Sequence, residues 1–293
     1  MNLSESLKLF CLAALAGSSA AQTSDVDLVK AASSLVEAEM SYAKLGTEKG
    51  FREASLATFA DDAVIFAPGM VNGKTFWQKT KEDPFIIWRP AFVSIARSGE
   101  LGYTTGPSEY RSSRKVIEPE AFGDFVTIWR RDPKGIWKVV ADVGVNHPQP
   151  QSPVPADVST YVPKTGPASP ESARANLEKA QRQFADALKE NEADAINDNA
   201  SEEIRVYRRD QIPAVGKRAA EKMLDDVDAK TSRMPTGAGT SQAVDLAYEY
   251  GEYASEQKKG TQRGIYFCIW RLDSDGNWKV ILDLQKSAPP ETP

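Results

Sequence analysis

The chain has 293 residues, 41% of them hydrophobic and 26% charged, with a formal charge of −5. That length allows about two ordinary domains, and the composition is that of a globular protein, not a disordered, collagen-like or disulfide-dense one. Lys and Arg number 36 against 41 Asp and Glu, which removes the basic excess of a nucleic-acid binder, and two cysteines with one histidine exclude the usual structural zinc sites.

Residues 1–22 read as a secretory signal peptide. Lys8 precedes the apolar run Leu9-Phe10-Cys11-Leu12-Ala13-Ala14-Leu15-Ala16, and Gly17-Ser18-Ser19-Ala20-Ala21 follows with an A-x-A-like cut near Ala20 or Ala21. The run is shorter than the ~20 apolar residues of a membrane span. The alternative is an amphipathic first helix of the fold. The expectation is an exported protein, periplasmic or extracellular, without a membrane span. Cys268 is then the single cysteine of the mature chain, and its setting, Ile265-Tyr266-Phe267-Cys268-Ile269-Trp270, reads as a buried packing thiol.

Each half next opens helical. Residues 26–45 and 172–191 carry apolar side chains at helical spacing, and shorter helices are predicted over 50–59, 73–81, 193–198 and 216–226. Strands are predicted over 63–66, 92–97, 101–105, 125–131 and 137–143, with counterparts in the second half. Helices first and antiparallel strands after is an α+β order. Between the halves, residues 148–170 hold seven prolines and only Asp157 and Lys164 as charges, a composition that reads as a linker.

The segments that close the two halves are copies. Residues 125–142 and 266–283 align without a gap at an offset of 141, which superimposes Trp129 on Trp270, Trp137 on Trp278 and Asp142 on Asp283. Units near 24–147 and 171–288 therefore form a tandem duplication. The last two strands of each make a hairpin around Asp132-Pro133-Lys134-Gly135 or Asp273-Ser274-Asp275-Gly276. Pairing Arg131 with Ile136 predicts that Phe125, Thr127, Trp129, Lys138, Val140 and Asp142 share one face, as do Tyr266, Cys268, Trp270, Lys279, Ile281 and Asp283. Arg130 and Trp137 would meet on the other face in a cation–π contact.

The helix-first order, the segment Phe59-Ala60-Asp61-Asp62-Ala63-Val64-Ile65-Phe66-Ala67-Pro68-Gly69 and the terminal Trp-Lys-Val-x-x-Asp strand together resemble the nuclear-transport-factor-2-like superfamily, which includes ketosteroid isomerases and SnoaL-like polyketide cyclases. The resemblance implies two tandem cone-shaped α+β domains, each with helices packed into a strongly curved antiparallel sheet around an apolar pocket. Such domains commonly dimerise through the outer sheet face, so it also implies an intrachain pseudo-dimer. In the isomerases a catalytic Asp stands immediately before the Pro. Ala67 holds that place here, and Arg208 falls near it in the second unit. The oxyanion-donating acid of the isomerases falls at Thr127 and Cys268. Base and donor are both missing, and isomerisation of that kind is not expected.

The candidate pocket comprises Tyr103, Phe125, Thr127, Trp129, Val140 and Asp142 in the first unit, and Tyr248, Tyr266, Cys268, Trp270, Ile281 and Asp283 in the second. The aromatic members would line a site for a small apolar ligand or serve as ordinary core. Desolvation would raise Asp142 and Asp283 and suit them to act as a base or a ligand acceptor; the plainer alternative is that they pair with a neighbouring cation or with Tyr266. Asp61 and Asp62 read as a solvated turn, and His147 as a solvated residue at the linker edge. Neither a metal-ligand cluster nor a phosphate loop is present, so no metal or cofactor is expected. The leading functional reading is a non-catalytic exported binding or scaffolding protein. The alternatives are a lyase, cyclase or isomerase with Asp142 or Asp283 as general base, and an envelope interaction protein with closed domains.

Overall fold

The computed structural model describes residues 25–66, 69–152, 155–164, 166–167, 169–258 and 260–288. Residues 1–22, read above as a signal peptide, and Ala67 and Pro68 lie outside them. The first unit runs α1 (Asp25–Lys49), α2 (Phe51–Thr58), β1 (Phe59–Phe66), β2 (Met70–Asn72), α3 (Gly73–Lys79), β3 (Phe85–Trp88), β4 (Phe92–Ile95), β5 (Leu101–Arg111), β6 (Ala121–Arg131), β7 (Trp137–His147) and β8 (Ser159–Tyr161). The second runs α4 (Pro170–Glu190), α5 (Glu192–Asn199), β9 (Ala200–Arg208), β10 (Ala214–Val215), α6 (Lys217–Leu224), β11 (Ala229–Thr240), β12 (Leu246–Gln257), β13 (Gly260–Leu272) and β14 (Trp278–Ser287).

Both units are α+β and share one strand order. The first sheet is β2-β1-β7-β6-β5-β4-β8, with β3 also on β5, and the second is β10-β9-β14-β13-β12-β11. Pairing is antiparallel except for β1 on β7, β9 on β14 and β4 on β8. The strand β8 lies in the segment read as linker, where its backbone extends the first sheet. Inside each sheet sits the long helix. Leu28, Ala31, Ala32, Leu35 and Tyr42 recur at three- and four-residue steps and bury one stripe of α1; Ala173, Leu177, Phe184 and Leu188 do so on α4. The segment before α4 supplies its cap, for the Ser169 side chain accepts from the Ser172 N–H and Pro170 opens the first turn.

The two hairpins turn alike. Asp132 Oδ1 accepts from the Lys134 and Ile136 backbone, with Gly135 at φ 79°; Asp273 Oδ1 accepts from Asp275 and Asn277, with Gly276 at φ 82°. The register differs from the sequence expectation. Arg131 pairs with Trp137, not Ile136, and a bulge follows, so that Trp129 faces Val139 while Ile128 faces Ala141. The same bulge stands between Ile269 and Trp270 in the copy. An extra residue turns the strand over. Val140 and Ile281 consequently leave the inner face. Arg131, not Arg130, lies over the Trp137 ring at 4.7 Å, and Arg130 pairs with Asp62 at 2.9 Å.

The outer faces of the two sheets pack on each other. Phe66, Tyr103, Val126 and Ile128 share one buried cluster with Tyr207, Tyr248, Phe267 and Ile269. Tyr207 Oη bonds Thr105 Oγ1 at 2.8 Å, the Arg97 N–H donates to Asp245 Oδ2 at 2.9 Å, and Arg205 lies 3.6 Å over the Phe92 ring.

Candidate functional site

A cavity of about 460 Å³ opens between the helices and the inner sheet face of the first unit. That is within the usual range for a small-molecule site, roughly 300–1,000 Å³. Tyr42, Phe51, Phe76, Trp77, Trp88 and Phe125 give it aromatic walls. Thr127 and Asp142 lie on its sheet side, two residues directly paired on β6 and β7. Thr127 Oγ1 donates to Asp142 Oδ1 at 2.8 Å. Burial pushes the Asp142 carboxyl up to about 6, against the pull of the Thr127 bond and the Lys286 charge.

Behind the cavity lies an acid that the sequence reading did not single out. Glu39 is fully buried on α1 and gathers three donors: Trp88 Nε1 to Oε1 at 2.7 Å, Thr104 Oγ1 to Oε2 at 2.6 Å and Trp129 Nε1 to Oε2 at 3.0 Å. Burial raises it to about 7, opposed by the bonds from Thr104, Trp88 and Trp129 and reinforced by the Asp142 charge. A signal for it existed. Glu39 falls four residues after Leu35 and three before Tyr42, squarely on the apolar stripe. A carboxylate on a buried stripe needs partners.

The second unit answers the same positions differently. Asp283 is fully buried, with Arg233 Nη2 at 2.6 Å and Arg208 Nη2 at 2.9 Å. Burial alone would raise its carboxyl; the two guanidiniums outweigh burial and hold it below the ordinary range. Arg208 also pairs with Glu192 at 2.9 Å, and Gln285 Nε2 donates to Glu192 at 3.0 Å. Where the first unit joins Glu39 to Thr104, the second joins Gln181 to Glu249 at 3.1 Å, with the acid on the strand instead of the helix. Arg233 lies over the Tyr266 ring at 4.6 Å and that of Phe184 at 5.3 Å, which closes the space around Asp283. A hollow of about 390 Å³ lined by Glu192, Arg208, Tyr253 and Gln285 lies apart from that carboxylate.

Of the residues expected to line the pockets, the structure brings Phe125, Thr127 and Asp142 to the first cavity. Trp129 packs beneath it in the core. Tyr103, Val140, Tyr248 and Ile281 belong to the contact between the sheets, because the bulge and the alternation of β5 and β12 turn them outward. Tyr266 edges a hollow of about 280 Å³ beside Arg233. Cys268 and Trp270 are fully buried core, and burial pushes the Cys268 thiol well up. Asp283 is an ion-pair member, as the plainer alternative held. His147 corrects the expectation of a solvated residue: it is 7% exposed, with Nε2 on Asp124 Oδ2 at 2.8 Å and Nδ1 on the Pro148 carbonyl at 2.7 Å. Burial opposes its charge, but Asp124 and Pro148 outweigh that and raise it. Arg208 sits near its expected place and is held by Glu192 and Asp283.

No protein-family model and no curated protein matches the sequence. Several solved structures are similar to part of the chain. A ketosteroid isomerase-like protein from Erwinia carotovora atroseptica is 13% identical, with a TM-score of 0.35 over 40% of this chain and 96% of its own. A putative scytalone dehydratase from Novosphingobium aromaticivorans is 16% identical, with a TM-score of 0.33 over 40% of this chain and 85% of its own. A Mycobacterium tuberculosis protein solved in complex with estradiol-17β-hemisuccinate is 12% identical, with a TM-score of 0.31 over 38% of this chain and 92% of its own. No described helix is long and apolar enough to cross a membrane.

Proposed function

We propose that this is an exported binding protein whose first unit takes a small, largely apolar ligand, while the second unit is its packing partner in an intrachain pseudo-dimer. The observation that supports this best is the contrast between the copies: Asp142 edges an aromatic cavity, whereas Asp283 is closed in by two arginines. Aromatic walls, with Asp142 on the sheet side, suit a ligand with a hydrophobic body and a polar end. Export rests on residues 1–22, and amino-terminal sequencing of secreted material would check it. The sheet contact between units supplies within one chain what two chains would otherwise share, so light scattering should return a monomer mass. An obligate dimer would count against that part.

A plugged cavity tests the ligand site. Gly144 lies on its wall, and a Cβ there would meet only the Asp124 carbonyl, at 4.0 Å. Gly144→Leu should therefore fold and fill the space. Apolar compounds that raise the wild-type unfolding temperature should lose that effect in this variant. Unchanged shifts in Gly144→Leu would place the ligand elsewhere. A second reading, an enzyme with Asp142 as general base, draws support from its carboxyl near 6, a value suited to proton transfer close to neutrality. It requires Asp142→Asn to abolish turnover while ligand still binds.

A further inference from the structure

The cavity of the first unit is completed by a side chain of the second. On β14, Leu282 and Leu284 point outward into the contact between the sheets, and Lys286 is the next residue in that row. Its counterpart in the first unit is the buried Val145. The duplication thus has an apolar residue in one copy and a lysine in the other. The lysine stem runs past the edge of the contact, and its ammonium reaches the cavity that holds Asp142.

Lys286 is the one basic side chain lining this cavity among the described residues. Its ammonium has three donors. Among the described residues the one hydrogen bond they make is to the Phe66 carbonyl at 3.3 Å, long for an N–H···O bond. No carboxylate of the described residues lies within 4.0 Å of it, and Asp142 acts on it only through its field. Burial lowers the ammonium, the Arg209 charge lowers it further, and Asp142 opposes both. A partly buried cation with donors to spare, set against aromatic walls, fits an anionic oxygen pair on an apolar body. Glu82 and Asp83 also line the cavity, at its exposed rim, where water screens them.

We infer that the ligand of the first unit is an apolar carboxylate whose anionic end is held by Lys286, so that the second unit supplies the specificity of the first. The inference rests on the cavity being a ligand site. It is tested on the full chain at pH 7.5 by calorimetric titration with 2-naphthoate, 2-naphthamide and 2-naphthylmethylamine, against the wild type, Lys286→Met and Lys286→Arg. A charge-assisted bond is about twice as strong as a neutral one, so wild type should prefer the carboxylate to the amide by about tenfold. Lys286→Met should abolish that preference and leave amide affinity unchanged; Lys286→Arg should restore most of it. If Lys286 were only a tie between the units, Lys286→Met would weaken both ligands alike, and the inference fails. It fails also if Lys286→Met keeps the preference, or if the amine binds tightest. Should the amide bind with no carboxylate preference, the site stands and the inference alone falls; should none of the three bind, both fall.

Discussion

Asp142→Asn and Asp283→Asn change one residue in two copies of the same strand, and they should move stability in opposite directions. Asp142 rises from an ordinary 3.8 to about 6 on folding, chiefly by burial. Each unit of such a shift is ~1.4 kcal/mol, which sets a ceiling of ~3 kcal/mol on the cost of its charge. Its cavity-facing side admits water, so about 1–2 kcal/mol is the reasonable figure. Asn keeps the acceptor that Thr127 uses, and Asp142→Asn should be neutral to stabilising by that amount at pH 7.5. Asp283 is the reverse case. Its charge faces Arg208 and Arg233 in a site with no solvent exposure. Asp283→Asn strands the buried Arg233 guanidinium, leaves Arg208 with Glu192 alone, and should cost about 3–5 kcal/mol. In a chain of this size that is roughly a 10 °C fall in the unfolding midpoint. Scanning calorimetry of both variants beside wild type decides the matter. Equal losses in the two variants would show that the first unit holds its aspartate as tightly as the second, and the contrast between a cavity-lining and a closed-in aspartate would go with it.

Titration offers a further check. Asp142 and Glu39 both have raised carboxyls, at about 6 and about 7. The folded state keeps their protons longer, so stability present below pH ~4 is lost as pH climbs through those values. Urea melts from pH 4 to 8 should show the decline, and Asp142→Asn combined with Glu39→Gln should flatten it; an unchanged slope would rule these acids out. His147 is also raised, so its contribution is whole below 6.5 and fades as pH rises through its folded value, which His147→Gln should remove from the upper part of the same curve. Tyr207→Phe deletes the hydrogen bond to Thr105 across the unit contact and should cost about 1 kcal/mol in chemical denaturation; no change would mean the contact is held by its apolar residues alone.

The sequence by itself determined the duplication, the helix-first α+β order and the turn chemistry of both closing hairpins. These are local or repeated features. The 141-residue offset needs no coordinates, and neither does Asp132 two residues before Lys134 and three before Gly135. Helix stripes were equally legible, and Glu39 was written on one of them. What only tertiary structure decided was which side of the sheet each residue faces and what stands opposite it. A single bulged residue at Val140, and again at Ile281, reverses the alternation, and no short-range pattern announces it. The fate of the twin aspartates depended on partners far away in the chain. Asp283 meets Arg233 and Arg208 from other strands, while Asp142 meets an open hollow. Two identical residues on matching strands thus differ because electrostatic environment is a property of the assembled volume, built from side chains that the surrounding sequence does not adjoin.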